Sequence, residues 1–86
     1  MKVLVYTLPN CVQCDMTKKQ FKAAGVVFEE TNVKDLPEET LRHIREEYGF
    51  TQAPIVIADE QIWSGFKLER IKGVIAAVHA QEAVSA

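Results

Sequence analysis

Residues 3–14 have the sequence VLVYTLPNCVQC, an apolar run followed by a turn and two closely spaced cysteines. The β-prone run from Val3 to Tyr6 is typical of a strand that is buried on both faces, as in the centre of an α/β sheet. Pro9 and Asn10 break this strand, and residues 11–24 are then predicted to be helical, because Cys14, Thr17, Phe21 and Ala24 recur at steps of three and four before Gly25. The two cysteines are therefore predicted to lie at a strand-to-helix turn.

The rest of the chain adds strands and helices in an order that indicates the fold class. Further strands are predicted at 26–28, 55–58 and 61–63, and further helices at about 37–48 and 67–79. The first two strands enclose a helix and are expected to be parallel, whereas the last two are close enough to form an antiparallel hairpin. The predicted order is β-α-β-α-β-β-α, an α/β fold with a mixed four-stranded sheet flanked by three helices. Residues 1–80 are predicted to form one domain, and residues 81–86 a frayed tail.

Composition and charge exclude several classes of function. The chain has 86 residues, of which 48% are hydrophobic and 26% charged, as in an ordinary globular domain. Its sequence has no bilayer-spanning segment and no signal-type N-terminus, so a soluble, cytoplasmic protein without a membrane partner is expected. Ten basic and twelve acidic residues give a net charge of -2 without a basic cluster, so nucleic acid is not expected as a partner.

A Cys-x-x-Cys pair at the start of a helix is the arrangement that dithiol exchange requires. The unpaired N–H groups and the positive end of the helix dipole favour a thiolate, so the pKa of Cys11 is expected below the free value of roughly 8.5. Cys11 would attack a substrate disulfide, and Cys14, one helical turn further on, would resolve the mixed disulfide. The sequence thus predicts a redox pair with Cys11 as the nucleophile.

Two other interpretations of the cysteine pair remain open. Zinc would need more thiolate or imidazole ligands, and the only histidines, His43 and His79, are remote in sequence. An inert pair is the second alternative, although so short a loop would contribute little as a structural crosslink. No metal and no cofactor other than the Cys11–Cys14 disulfide is predicted.

Three segments resemble one family of redox proteins. They are YTLPNCVQC at 6–14, Gln-Ala-Pro at 52–54 and Trp-Ser-Gly-Phe at 63–66. In these segments the chain resembles NrdH-redoxins, the glutaredoxin-like electron donors of class Ib ribonucleotide reductase. The resemblance implies a thioredoxin fold, reduction by thioredoxin reductase instead of glutathione, and transfer of electrons to the large subunit of that ribonucleotide reductase. A monomer is expected.

The resemblance also implies roles for individual residues. Cys11 becomes the attacking thiol, Cys14 the resolving thiol and Pro54 a cis-proline that faces them, with Ala53 offering its backbone to the substrate. The remaining residues expected to contact a partner or to order the adjoining loop are Pro9, Val12, Gln13, Trp63, Ser64, Gly65 and Phe66.

The chain departs from the family pattern at a few positions. Leu8 replaces a common Lys, and Asp15 adds a negative charge, so Cys11 is expected to be activated mainly by its helix and only moderately. Lys67-Leu68 replaces a frequent Arg-Pro, which leaves the start of the last helix and a partner contact of the Arg open. Three rival functions are a glutathione-dependent glutaredoxin, an iron-sulfur or zinc carrier that uses Cys11, and a binding module with vestigial cysteines.

Overall fold

The computed structural model describes residues 1–85 and consists of one mixed sheet with helices on both faces. In chain order the elements are β1 (Val3–Thr7), α1 (Val12–Ala23), β2 (Glu29–Asn32), a 3-10 turn (Val33–Asp35), α2 (Glu38–Tyr48), β3 (Ile55–Ala58), β4 (Gln61–Ser64) and α3 (Leu68–Ser85). The strand order in the sheet is β2-β1-β3-β4, with β1 parallel to β2 and antiparallel to β3, and with β3 antiparallel to β4. The predicted α/β class and element order are confirmed.

Two apolar cores cover the two faces of the sheet. Val5 of β1, Phe21 of α1 and Ile71 of α3 belong to one core, and each is 0% exposed. Tyr6 of β1 and Ile44 of α2 belong to the other. Neighbouring residues of β1 therefore enter opposite cores, which is why Val3–Tyr6 are all apolar. Burying a side chain such as Phe21 stabilises the fold by about 1.5–3 kcal/mol.

The second strand lies later in the chain than predicted. The apolar residues 26–28 do not form it: the Val26 N–H donates to the Phe21 carbonyl at 2.9 Å and so closes the end of α1, while Val27 is 86% exposed. Strand β2 begins at Glu29 instead, which pairs with Leu4. The strand lies at the edge of the sheet, where hydrogen bonds to a single neighbour suffice and side chains remain polar. Apolar content was therefore a misleading guide to this strand.

Helix α3 is longer than predicted. It continues past the expected end near His79 through Ser85, so most of the segment predicted to fray is helical; Ala86 lies outside the described residues. Ala80, Gln81 and Glu82 favour a helix, and no Gly or Pro interrupts them. The Met1 ammonium group also donates to Gln81 Oε1 at 2.7 Å, which fastens this part of α3 to the start of β1.

The predicted hairpin between β3 and β4 is confirmed. Its two-residue turn places Asp59 in the left-handed region, with φ of 53°. Aspartate tolerates this conformation better than most residues, so the turn forms without the Gly or Asn that usually marks it.

Candidate redox site

A disulfide joins Cys11 and Cys14, whose Cα atoms are 5.2 Å apart. Cys11 is the N-cap residue of α1 and is half-buried, whereas Cys14 in the first turn is only 1% exposed. The Cys14 N–H donates to Cys11 Sγ at 3.2 Å. The Cys14 N–H, which belongs to the first turn of the helix and has no carbonyl partner within it, therefore points at the more accessible of the two sulfurs.

A sharp turn delivers Cys11 to the helix start. Asn10 lies in the left-handed region with φ of 58°, a conformation that asparagine adopts more readily than other non-glycine residues. The turn reverses the chain between the end of β1 and the beginning of α1. The exposed Pro9 precedes it, beside the cysteine pair in sequence.

The loop before β3 faces the cysteine pair. The Ala53–Pro54 peptide bond is cis, which confirms the conformation that the family resemblance implied. The Ala53 carbonyl oxygen lies 3.7 Å from Cys11 Sγ. Residues 42 positions apart in the chain thus form one site, with the Ala53 backbone next to the accessible sulfur.

The segment from Trp63 to Phe66 connects the other two motifs. Its Gly65 N–H donates to the Pro54 carbonyl at 2.8 Å, and its Phe66 N–H donates to Gln13 Oε1 at 2.9 Å. The Ser64 hydroxyl donates to the Gln52 carbonyl at 2.6 Å. The last of the three segments that carry the family resemblance is therefore hydrogen-bonded to both of the others. The single sequence held no signal for the contact between Gln13 and Phe66.

Gly65 is required at its position for two reasons. Its φ of 86° lies in the region that L-residues rarely adopt, and a Cβ built on it would meet Gln13 Oε1 at 3.3 Å. The carboxamide of Gln13 therefore passes directly over the glycine to reach the next N–H group.

Trp63 is a core residue. It is 1% exposed and packs with Val5 and Phe21 in the core between the sheet and helices α1 and α3. The Arg70 guanidinium lies 5.6 Å from the centre of its ring. Of the two roles predicted for Trp63, the structure favours ordering of the following loop over direct contact with a partner.

A charge network lies on the flank of α1. Lys18 Nζ is 3.0 Å from Glu30 and 3.7 Å from Asp15, and the buried Thr7 donates its hydroxyl to the same Glu30 carboxylate at 2.8 Å. The hydrogen bond to Glu30 raises the pKa of Lys18. The hydrogen bonds from Lys18 and then Thr7 lower the pKa of Glu30. The negative charge of Asp15, which the sequence set against thiolate formation, thus has a cation beside it.

Leu8, the residue found where the family often has Lys, lines an apolar cavity. The cavity has a volume of about 190 Å³ and lies beside Ala53. Ile44 and Phe50 also line it, and Arg45 is its one charged lining residue. The departure at position 8 therefore extends an apolar surface next to the redox site.

The histidines lie away from the cysteines. His79 Nε2 is 2.8 Å from the Ala24 carbonyl at the opposite end of α1, and the His43 ring packs edge-on against Tyr48. Within residues 1–85, no group of three or more His, Cys, Asp or Glu side chains has a metal-binding arrangement. No helix in the same range is long and apolar enough to cross a membrane.

Comparison with known proteins agrees with this geometry. Residues 3–63 match the glutaredoxin family model. The chain is 41% identical over 85 residues to the glutaredoxin-like protein NrdH of Escherichia coli K12, covering 96% of this chain and 100% of that protein. It is 38% identical over 65 residues to the protein of the same name from Lactococcus lactis subsp. lactis, covering 76% and 88%. Among solved structures, the NrdH-redoxin of Escherichia coli superposes with a TM-score of 0.75 at 40% identity, covering 84% of this chain and 92% of that one. The chain therefore belongs to the glutaredoxin family, as a glutaredoxin-like disulfide oxidoreductase of the NrdH type with a thioredoxin fold.

Proposed function

We propose that the protein carries electrons from thioredoxin reductase to the large subunit of class Ib ribonucleotide reductase. The observation that carries the proposal is the pairing of a half-exposed Cys11 at the helix N-cap with a buried Cys14 one turn away. Such a pair exposes one sulfur to a partner protein and keeps the second ready for an intramolecular step.

The proposed cycle begins from the reduced pair. The Cys11 thiolate attacks one sulfur of the substrate disulfide, a mixed disulfide forms, and the other substrate sulfur leaves as a thiolate that takes up a proton. Cys14 then loses its proton and attacks Cys11 Sγ, which releases the second substrate thiol and forms the Cys11–Cys14 disulfide. Two electrons pass to the substrate. The Cys11–Cys14 disulfide is the product of this half-cycle.

Thioredoxin reductase would close the cycle with its own dithiol. The Escherichia coli NrdH-redoxin has a thioredoxin-like activity profile. In the present chain, Ser64-Gly65-Phe66-Lys67 stands where glutathione-dependent glutaredoxins usually have a Gly-Gly pair and acidic residues. The proposed cycle therefore does not use glutathione. It needs no cofactor besides the cysteine pair, and we expect the protein to act as a monomer in the cytoplasm.

The site residues have distinct proposed roles. Cys11 exchanges with the partner, Cys14 resolves, and the Ala53 carbonyl lies beside the incoming sulfur. The helix start stabilises the Cys11 thiolate through the Cys14 N–H, which already points at that sulfur at 3.2 Å. Gln13 and Gly65 hold the adjoining loop in place, whereas the 72% exposed Val12 meets the partner.

A pair of coupled assays tests the reductant. NADPH oxidation is followed with thioredoxin reductase in one assay and with glutathione and glutathione reductase in the other, with ribonucleotide reductase as the final acceptor. Turnover is expected only in the first. Turnover only with glutathione would contradict the proposal.

A trapping experiment tests the acceptor. Cys14→Ser removes the resolving thiol, so the mixed disulfide with Cys11 should accumulate and should contain the large subunit of ribonucleotide reductase. Cys11→Ser is the matched control and should trap nothing. If Cys14→Ser traps other disulfide proteins but never this subunit, the protein is a general disulfide reductase.

A further inference from the structure

Glu30 and Lys18 form an ion pair on the face of the sheet that α1 covers. Glu30 lies opposite Val5 in the parallel pairing of β1 and β2, and Val5 belongs to the core that α1 shares. The Glu30 carboxylate lies on this same face, where the Lys18 ammonium is 3.0 Å away and the buried Thr7 hydroxyl donates to it at 2.8 Å. Two partners therefore hold the carboxylate, and one of them is a buried residue of the central strand.

This ion pair lies at the end of the sheet that carries the cysteines. Thr7 is the last residue of β1, and the turn that follows it leads to Cys11. Cys14 and Lys18 are four residues apart and share one face of α1, with their Cα atoms about 6 Å apart. The Lys18 ammonium leans back toward the start of the helix, since it is 3.7 Å from Asp15, the residue next to Cys14. A fixed cation and a fixed anion therefore lie near the two sulfurs.

Reduction of the disulfide creates a charge near this ion pair. Two electrons and two protons convert the Cys11–Cys14 disulfide to two thiols, and Cys11 then loses a proton where the pH exceeds its pKa. The disulfide is neutral, whereas this reduced form is an anion. A nearby cation therefore favours the reduced form, and a nearby anion favours the disulfide.

We propose that Lys18 and Glu30 set the reduction potential of the cysteine pair, with Lys18 raising it and Glu30 lowering it. Neither residue touches the sulfurs, so both act through the electric field at the thiolate. The other charged residues of α1 are Asp15, Lys19 and Lys22, of which Asp15 contacts Lys18 and Lys22 lies close enough to Glu30 to lower its pKa. The inference concerns the cysteine pair itself and holds whichever proteins reduce and oxidise it.

The test measures the equilibrium between the full-length protein and mixtures of reduced and oxidised dithiothreitol, which exchange two electrons and two protons with the pair. Glu30→Gln removes the charge and keeps an oxygen that accepts hydrogen bonds. Its matched control is Glu29→Gln, which removes the same charge from the next residue of β2, whose side chain points to the other face and lies 3.7 Å from Lys2. Lys18→Met is matched in the same way by Lys19→Met, at an exposed position of α1.

The expected result is a pair of shifts with opposite signs. At about one pH unit above the wild-type pKa of Cys11, Glu30→Gln should raise the equilibrium constant for reduction about 2- to 5-fold, and Lys18→Met should lower it by a similar factor. A unit charge roughly 10 Å from the thiolate at a partly exposed site has an effect of this size. The factor corresponds to about 10–20 mV, because a tenfold change is 29.6 mV for two electrons. Added KCl should reduce both shifts.

Thiolate absorbance at 240 nm against pH gives a second readout on the reduced proteins. The pKa of Cys11 should fall in Glu30→Gln and rise in Lys18→Met, and it should stay close to the wild-type value in both controls. A merely structural role of the ion pair predicts something else: both variants break the same contact, so both would move the equilibrium in the same direction. Melting temperatures check the fold of each variant, and Lys18→Gln repeats the charge removal with a polar side chain.

Two results would overturn the inference. One is a shift of the same sign for Glu30→Gln and for both Lys18 variants. The other is a shift no larger than that of Glu29→Gln and Lys19→Met, because the effect would then be one of overall charge. Neither measurement uses thioredoxin reductase or ribonucleotide reductase, so the proposed function stands or falls separately.

Discussion

Replacing Gly65 by alanine should destabilise the protein through two separable effects. The first is the backbone conformation, since φ of 86° costs an L-residue roughly 1–2 kcal/mol. The second is the approach of the new Cβ to Gln13 Oε1 at 3.3 Å, which displaces the carboxamide from the Phe66 N–H. Because these atoms are exposed and water can replace the partner, loss of that hydrogen bond costs about 1 kcal/mol. The two effects add to about 2–3 kcal/mol.

Two other glycines separate these effects. Gly25 has a similar φ of 71° and nothing within 4 Å of an added Cβ, so Gly25→Ala carries only the backbone cost. Gly73 lies inside α3 with equally open surroundings and no positive φ, so Gly73→Ala should stabilise by about 0.5–1 kcal/mol. The difference between Gly65→Ala and Gly25→Ala should therefore be about 1 kcal/mol.

Urea unfolding of the oxidised proteins, followed by circular dichroism, measures these differences as shifts in midpoint at constant m-value. The extra cost at Gly65 should disappear when Gly65→Ala is made in a Gln13→Ala background, since the side chain that it displaces is then absent. An equal cost for Gly65→Ala and Gly25→Ala, with no dependence on Gln13, would refute the reasoning.

Three further predictions concern parts of the fold outside this loop. Hydrogen bonds from Lys18 and Thr7 lower the pKa of Glu30 in the folded protein. The ionised Glu30 therefore stabilises the fold above its unfolded pKa of about 4.3, and this stabilisation is lost as the pH falls through the lower folded pKa. Glu30→Gln should make the urea midpoint depend less on pH over this range, and an unchanged dependence would contradict the assignment. Ile71→Ala should cost about 2–5 kcal/mol because the side chain is fully buried, whereas Leu68→Ala, at a 38% exposed position, should cost less than about 1 kcal/mol in the same experiment. Asn10 has a φ of 58°, a conformation that valine adopts only with strain, so Asn10→Val should lower the melting temperature by about 4–8 °C for each kcal/mol of that strain. Asn10→Gly should leave the melting temperature nearly unchanged. Similar melting temperatures for the two variants would show that the turn tolerates any residue.

The parts of the fold that were predictable from sequence depend on local patterns. The run from Val3 to Tyr6 identified a central strand because both of its faces are buried, and the stripe around Ile71 identified α3 because one face is. The position of strand β2 could not be predicted, because it depends on the pairing of Glu29 with Leu4, a residue far away in the chain. The apolar residues 26–28, which were predicted to form this strand, instead follow the end of α1, where the Val26 N–H donates to the Phe21 carbonyl.

The redox pair was predictable for a similar reason. Its spacing, the turn before it and the helix after it are all local, so Cys11 and Cys14 could be assigned before the structure was known. The contact between Gln13 and Phe66 joins residues 53 positions apart, so no local sequence pattern predicts it. For Trp63 the residue type itself favours the core, since an aromatic residue at the end of a strand more often packs inside than contacts a partner, and its 1% exposure agrees.

The structure gives a physical reason why the three family segments belong together. Gln13 lies between the cysteines, and its side chain accepts from Phe66; Gly65 then donates to Pro54, whose preceding carbonyl lies beside Cys11. A larger residue in place of the glycine would push on Gln13, and loss of Gln13 would free the loop from the start of α1. Because each contact joins one segment to the next around the same sulfur, a change in one segment alters the support of the other two. The middle of the Cys-x-x-Cys motif thus does more than space the cysteines: it fastens the last loop to the redox centre.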